Sequence, residues 1–192
     1  MRMLHAAGHR RMPWKNGGGE TTEIAVSPEG ASIDDFDWRV SMARVERDGP
    51  FSVFPGVDRT LAILEGQGIM LDVEGRGTLT LTRASEPATF PADAPTSCAL
   101  IAGPILDLNV MSRRDRVSHT VDILAVSAPM KFLAGARDTL VLCLEGTVDI
   151  AGDTGSETLS RFDCLVAGAS SGALQLDAAV PARVALIAFQ SA

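Results

Sequence analysis

The spacing of the turn signals constrains the fold of this chain most. Pro28-Glu29-Gly30, Asp48-Gly49-Pro50, Glu65-Gly66, Glu74-Gly75, Gly103-Pro104, Glu145-Gly146 and Gly152-Asp153 cut it into short apolar runs rich in Val, Ile, Leu and Thr. Most runs are about four to eight residues long, which suits strands rather than helices. No stretch of about 12 residues holds a 3.6-residue apolar period. The best helical candidate, Ser127–Leu133, is interrupted by Pro129. Such punctuation predicts an all-β sandwich or barrel.

The 192 residues suit one globular unit or two small halves sharing a core. A chain of this length buries roughly 70% of its unfolded surface and needs no disulfide or metal staple. Seventeen Lys+Arg against 24 Asp+Glu give a net charge of −7, which argues against partners that are nucleic acids or anionic membranes. No apolar run approaches the ~18 residues of a membrane span. The start, Met1-Arg2-Met3-Leu4, lacks the apolar core of a signal peptide. Cys98, Cys143 and Cys164 are odd in number and too scattered for a disulfide frame or zinc knuckle. The expectation is a reduced, cytoplasmic protein.

The chain echoes itself. Arg59-Thr60-Leu61-Ala62-Ile63-Leu64-Glu65-Gly66 resembles Asp138-Thr139-Leu140-Val141-Leu142-Cys143-Leu144-Glu145-Gly146, with one extra residue in the second copy. Downstream, Phe90, Gly103 and Leu108-Asn109-Val110 are followed at similar spacing by Phe162, Gly168 and Leu186-Ile187-Ala188. This suggests a duplicated β unit. The first half is dense in Trp, Arg, Asn and Phe and the second is bland, so the pattern reads as a working half and a supporting half.

Several chemistries fail on residue supply. A catalytic metal needs three or four converging His, Cys, Asp or Glu ligands. The chain has only His5, His9 and His119, no two of them two apart on one strand, and His5 and His9 read as exposed tail residues ahead of the first strand. No Gly-x-Ser-x-Gly elbow is present, and Cys164 reads as a buried apolar cysteine. Gly17-Gly18-Gly19 lacks the Lys-Ser/Thr of a phosphate loop and runs into a strand-like segment.

Polar residues at alternate strand positions remain. Period two places Asp107, Asn109 and Met111 on one face of their strand, with Leu106, Leu108 and Val110 on the other. Arg39 and Ser41 likewise share a face opposite Trp38, Val40 and Met42. A polar row between apolar flanks faces a cavity rather than bulk water. Phe51 and Phe54 stand in a rigid aromatic loop that ends in Asp58-Arg59, and Trp14, Lys15 and Asn16 add a ring, a cation and an amide. Arginine holds carboxylates by bidentate pairs. Equally, Arg39 and Arg59 can pair internally with Asp58 or Asp107, since a buried charge needs a partner.

Four segments in order, Pro13-Trp14-Lys15-Asn16-Gly17-Gly18-Gly19-Glu20-Thr21-Thr22-Glu23-Ile24, Phe36 to Ala43, Asp48 to Leu61 and Gly103 to Met111, resemble the HutD/Ves family. The match covers most of residues 12–114; residues 115–192 match in general character. The resemblance implies a bicupin, two small cupin or jelly-roll-type β-barrels from one chain, here divided as residues 1–114 and 115–192. It also implies a link to bacterial histidine utilisation, with a role in sensing a pathway intermediate rather than a defined reaction. Many cupins carry metal on a His-x-His motif after a Gly; Gly49 to Gly68 contains no His, so the resemblance implies a metal-free cupin without a cofactor.

The expectation is a binding protein whose first barrel holds a small carboxylate metabolite. Arg59 and Arg39 are the carboxylate partners. Asn109, Asp107 and Ser41 supply polar contacts, Trp14, Lys15 and Asn16 stand at the mouth, and Phe51 and Phe54 form an apolar wall. A three-atom acid such as formate is capped near roughly −4.5 kcal/mol, whereas urocanate or N-formylglutamate needs only ~0.7–0.8 kcal/mol per atom for micromolar binding. Two rivals remain: a metal-independent isomerase or hydrolase using Asp107, Glu23 or Lys15 in general acid–base catalysis, and a scaffold without a ligand. A regulatory protein is the expected partner, and exposed edge strands leave a homodimer open.

Overall fold

The computed structural model describes residues 1–135, 137–153 and 155–192. Its strands, in chain order, are β1 (Arg2–Leu4), β2 (Arg10–Pro13), β3 (Gly19–Ser27), β4 (Trp38–Val45), β5 (Gly49–Pro50), β6 (Val57–Glu65), β7 (Ile69–Val73), β8 (Gly77–Leu81), β9 (Ala88–Pro91), β10 (Thr96–Leu100), β11 (Ile105–Arg113), β12 (Val117–Val126), β13 (Met130–Leu133), β14 (Asp138–Glu145), β15 (Val148–Gly152), β16 (Gly155–Leu159), β17 (Cys164–Gly168), β18 (Ala173–Asp177) and β19 (Ala182–Ser191). Helical structure among the described residues is confined to two 3-10 turns, Ala6–Gly8 and Ala169–Ser171. The expected helical stretch at Ser127–Leu133 is corrected: Met130–Leu133 is β13, antiparallel to β18 from Met130↔Leu176 to Leu133↔Ala173. Pro129 denies a helix its hydrogen bond, and the neighbouring strand supplies a ladder instead.

Two compact units divide the chain, Arg10–Ser118 with Ala192, and Met1–His9 with His119–Ser191. In the first unit a six-stranded sheet, ordered β2-β3-β4-β11-β6-β9, faces a four-stranded sheet, β5-β10-β7-β8. Leu61, Ile63 and Phe90 from one and Ile69, Leu71 and Cys98 from the other meet in a common core. Full burial of side chains of this kind stabilises by about 1.5–3 kcal/mol each. The second unit pairs the sheets β1-β17-β14-β19-β12 and β13-β18-β15-β16 around Val141, Ile150, Leu159, Leu165 and Val184. The units are open jelly-roll sandwiches of facing sheets rather than closed barrels.

The repeat seen in the sequence is a repeat of pairing. Strands β4 to β11 and β12 to β19 occupy the same places in their sheets, one for one. Both copies carry an irregularity at the same point: the β11–β6 register shifts between Leu106 and Asp107, and the β14–β19 register shifts between Cys143 and Glu145. A shared bulge is a specific feature, since it re-aims every later side chain on its strand.

The division differs from a cut at residue 114. Residues 1–9 join the second unit because β1 pairs with β17, as Arg2↔Val166, Met3↔Leu165 and Leu4↔Cys164. The turn after β1 is clasped by Asp163, whose Oδ1 accepts the Ala6 amide at 2.8 Å and lies 3.6 Å from His5 Nδ1. His9 Nε2 meets the Phe162 carbonyl at 2.9 Å, so His9 is held rather than a free tail residue.

The turn that ends β6 rests on Gly66, at φ +89, where a Cβ would lie 2.6 Å from the Pro104 carbonyl oxygen and 2.8 Å from Ile105 Cγ2. Gly75, at φ +78, faces open space. Gly66→Ala is therefore expected to cost at least about 2 kcal/mol in urea unfolding, combining left-handed strain with a backbone clash, and Gly75→Ala about 1 kcal/mol from strain alone.

Candidate functional site

Strand register builds the site. The inward face of the six-stranded sheet carries three cross-strand rows. Met12, Thr21, Ala43, Asp107 and Ile63 align in the first, and Arg10, Glu23, Ser41, Asn109 and Leu61 in the second. Arg39, Met111, Arg59 and Phe90 form the third. Most of these residues, with Trp14, Lys15, Asn16, Phe51 and Phe54, line a cavity of about 760 Å³. The residues alternating with them, Val40, Leu108 and Val110, are buried on the other face, so the polar row sits between apolar layers.

All ten residues singled out in the sequence (Arg59, Arg39, Asn109, Asp107, Ser41, Trp14, Lys15, Asn16, Phe51 and Phe54) border this one cavity. At the mouth, Trp14 Nε1 donates to Thr21 Oγ1 at 2.8 Å, and Asn16 Oδ1 accepts the Gly18 amide at 3.0 Å. Glu23, named from the sequence only for acid–base catalysis, lines it too, as do Arg10, Thr21 and the stretch Ala31 to Ile33, which the sequence did not point to. Thr21, two residues before Glu23 on the same strand, carries the period-two signal that could have found it; the 31–33 loop carries none.

The two buried arginines differ. Arg39 Nε donates to Glu23 Oε2 at 2.7 Å, and Nη1 reaches Ser41 Oγ at 3.4 Å. Its internal partner is thus Glu23, neither Asp58 nor Asp107, and Asp58 pairs with Arg114 at 2.9 Å. Arg59, 5% exposed, has no ion pair among the described residues. Its Nη2 donates to the Ser52 carbonyl at 3.4 Å, while its Nε is buried without a partner. The rings of Phe51, Phe54 and Phe90 lie 5.2, 5.3 and 6.0 Å from its guanidinium carbon. Cation–π contacts offset part of the burial cost, but guanidinium donors remain unused. Burial lowers the Arg59 pKa to about 10, against the attraction of Asp107, so it stays charged at neutral pH.

Asp107, 1% exposed, accepts a hydrogen bond from Asn109 Nδ2 at 2.6 Å. Burial pushes its carboxyl up to about 7, opposed by Arg59, the Asn109 bond and the Ala43 backbone. Four cationic side chains, Arg10, Lys15, Arg39 and Arg59, line the cavity against two acids, Glu23 and Asp107, although the chain carries −7. The cavity suits an anion. Its lining contains no histidine or cysteine, and Glu23 is paired with Arg39. Among the described residues no three His, Cys, Asp or Glu converge to hold a metal ion.

The family model of HutD matches residues 6–186. The chain belongs to the HutD family. It is 42% identical to the protein Ves of Citrobacter koseri over 142 residues, 71% of each chain. It is 32% identical to an uncharacterised 21.2 kDa protein from the hutC 3′ region of Pseudomonas putida, over 86% of this chain and 85% of that one. Among solved structures, a conserved protein of unknown function from Pseudomonas aeruginosa PAO1 superposes with a TM-score of 0.92 at 34% identity, covering 99% of this chain and 98% of the other. HutD from Pseudomonas fluorescens SBW25 does so at 0.83 and 31%, covering 100% and 98%. A cupin 2 conserved barrel protein from Leptotrichia buccalis, 10% identical, reaches 0.60 over 94% and 96% of the two chains and shows the fold alone. This HutD-family chain is thus a bicupin, and the family is associated with histidine utilisation.

The second unit of this HutD-family chain lacks the polar row. By the shared bulge, Asp107 corresponds to Val184, Asn109 to Leu186 and Arg59 to Thr139. Val184 and Leu186 pack in an apolar core where the first unit opens a cavity.

The raised Asp107 pKa fixes a sign. With a folded value near 7 and an unfolded one near 3.9, its contribution is fully present below about pH 4 and is lost as pH rises through 7. Asp107→Asn keeps an acceptor for Asn109 and removes the titration. Relative to wild type, the variant is expected to gain on the order of 2 kcal/mol between pH 5 and pH 8, read by urea unfolding at both pH values.

Proposed function

We propose that the first-unit cavity binds a small carboxylate of histidine degradation, urocanate or N-formylglutamate, without a metal. Occupancy then modulates histidine utilisation through a protein partner. One observation carries the reading: Arg59 is buried in a cavity wall, charged, and left with an unpartnered Nε. An arginine fork of this kind is matched by a carboxylate, which accepts two parallel hydrogen bonds. Arg39, already neutralised by Glu23, orients the ligand rather than supplying net charge. Phe51 and Phe54 form the apolar wall, and Trp14, Lys15 and Asn16 meet the outer end of the ligand at the mouth.

Size supports the larger acids. The cavity of about 760 Å³ lies within the range of ligand pockets. HutD of Pseudomonas fluorescens SBW25 has been solved in a formate condition. Formate shares the carboxylate of the proposed ligands, but with three heavy atoms it is limited to about millimolar affinity. The charge of −7 favours a protein over DNA as the partner that reads occupancy.

A second reading is favoured by Asp107, a buried carboxyl titrating near 7 inside the cavity, as a general base requires. The site would then be that of a metal-independent isomerase or hydrolase, and turnover of a bound acid would vanish in Asp107→Asn.

Calorimetric titration of urocanate and N-formylglutamate decides between them. The expected result is micromolar binding of at least one acid without turnover, weakened about 100-fold in an Arg59→Ala variant that still unfolds cooperatively; that loss equals about 2.7 kcal/mol. Unchanged affinity in Arg59→Ala would remove the carboxylate site from this cavity.

A further inference from the structure

We infer that Asp107 makes the cavity a proton-coupled anion site: a carboxylate seats beside Arg59 as Asp107 takes up one proton from solvent, and the neutral carboxyl of Asp107 donates a hydrogen bond to the bound anion. The inference rests on the carboxylate reading of the cavity.

Charge balance in a dry place sets the protonation of Asp107. Asp107 lies on the floor between Ala43 on β4 and Ile63 on β6, almost without exposure. Asn109 Nδ2 donates to Oδ1 at 2.6 Å and the Ala43 backbone also favours the carboxylate, so the proton taken up sits on Oδ2, away from the Asn109 donor. The charged and titratable groups around it come from every neighbouring strand. Arg59 on β6 is the one buried cation not held in an ion pair among the described residues. Arg39 on β4 is held by Glu23 on β3. Cys98 on β10 is kept neutral, because burial raises its thiol pKa. Arg10 and Lys15 stand at the exposed rim, where water screens them.

A bound carboxylate and an ionised Asp107 would therefore share a single buried guanidinium. A second unpaired anion in low dielectric is costly, and neutralisation by a proton is the usual escape. Burial already brings the Asp107 carboxyl to about 7, so the proton is available near neutrality. The ligand stays ionised on Arg59, and the proton resides on Asp107. This gives Asp107 a role in specificity: its O–H rewards a ligand that presents an acceptor.

The test is calorimetry of N-formylglutamate and acetate, neither of which titrates between pH 6 and 8.5. It compares wild type, Asp107→Asn and Asp107→Leu in two buffers of different ionisation enthalpy. Wild-type affinity is expected to fall towards about tenfold per pH unit above pH 7.5, with uptake approaching one proton per ligand at pH 8.5. Asp107→Asn, which keeps a donor, binds with a pH-independent affinity and no proton uptake. Asp107→Leu, which keeps none, binds about tenfold or more weakly than Asp107→Asn at pH 6. Wild-type binding without proton uptake, or an affinity that rises with pH, overturns the inference while leaving the carboxylate site intact. Absence of binding by both probes overturns the carboxylate reading and the inference together.

Discussion

The candidate site turns on keeping the Arg59 guanidinium out of water without an anion of its own. A buried cation is tolerated when its surroundings replace solvent. Here the replacement is partial: three phenylalanine rings, one long hydrogen bond to the Ser52 carbonyl, and Asp107 as an attracting carboxyl outside ion-pair distance. Arg39 shows the alternative on the same sheet face, fully neutralised by Glu23 at 2.7 Å. The contrast separates an arginine neutralised within the fold from one left with an unpartnered Nε.

The duplicated fold makes the same point by comparison. Two copies of one eight-strand pattern share a bulge at equivalent positions, yet one holds a cavity and the other a packed core. The exchange of Asp107, Asn109 and Arg59 for Val184, Leu186 and Thr139 accounts for part of the difference. The added strands contribute as well. In the first unit β2 and β3 extend the sheet beyond β4, bringing Arg10, Thr21, Glu23 and the Trp14 rim to the cavity. In the second unit the edge at β12 carries no such pair among the described residues, and β1 extends the opposite edge at β17.

Much of this was legible in the sequence. Alternation along Leu106-Asp107-Leu108-Asn109-Val110-Met111 and Trp38-Arg39-Val40-Ser41 identified which side chains share a face, because the two-residue period of a strand is a local property. The echo of Arg59-to-Gly66 in Asp138-to-Gly146 marked equivalent strands, each closed by a left-handed glycine. The partner of Arg39 was not legible. Glu23 lies 16 residues away, and only the antiparallel register of β3 and β4, with its shift between Glu23 and Ala25, brings them together. Capture of residues 1–9 by the second unit was equally hidden, since β1 meets β17 across some 160 residues of chain and no local signal names the pair.

By itself, the sequence determined an all-β chain, a duplicated pattern, and a polar row with two arginines and three aromatics in one half. Those features arise from residue type and short-range periodicity. The tertiary structure alone decided that these residues converge on one cavity, that Glu23 neutralises Arg39 while Arg59 keeps an unused donor, and that Asp107 titrates near 7. Charge compensation and desolvation depend on which groups lie within a few ångströms, and strand pairing between distant segments sets those distances.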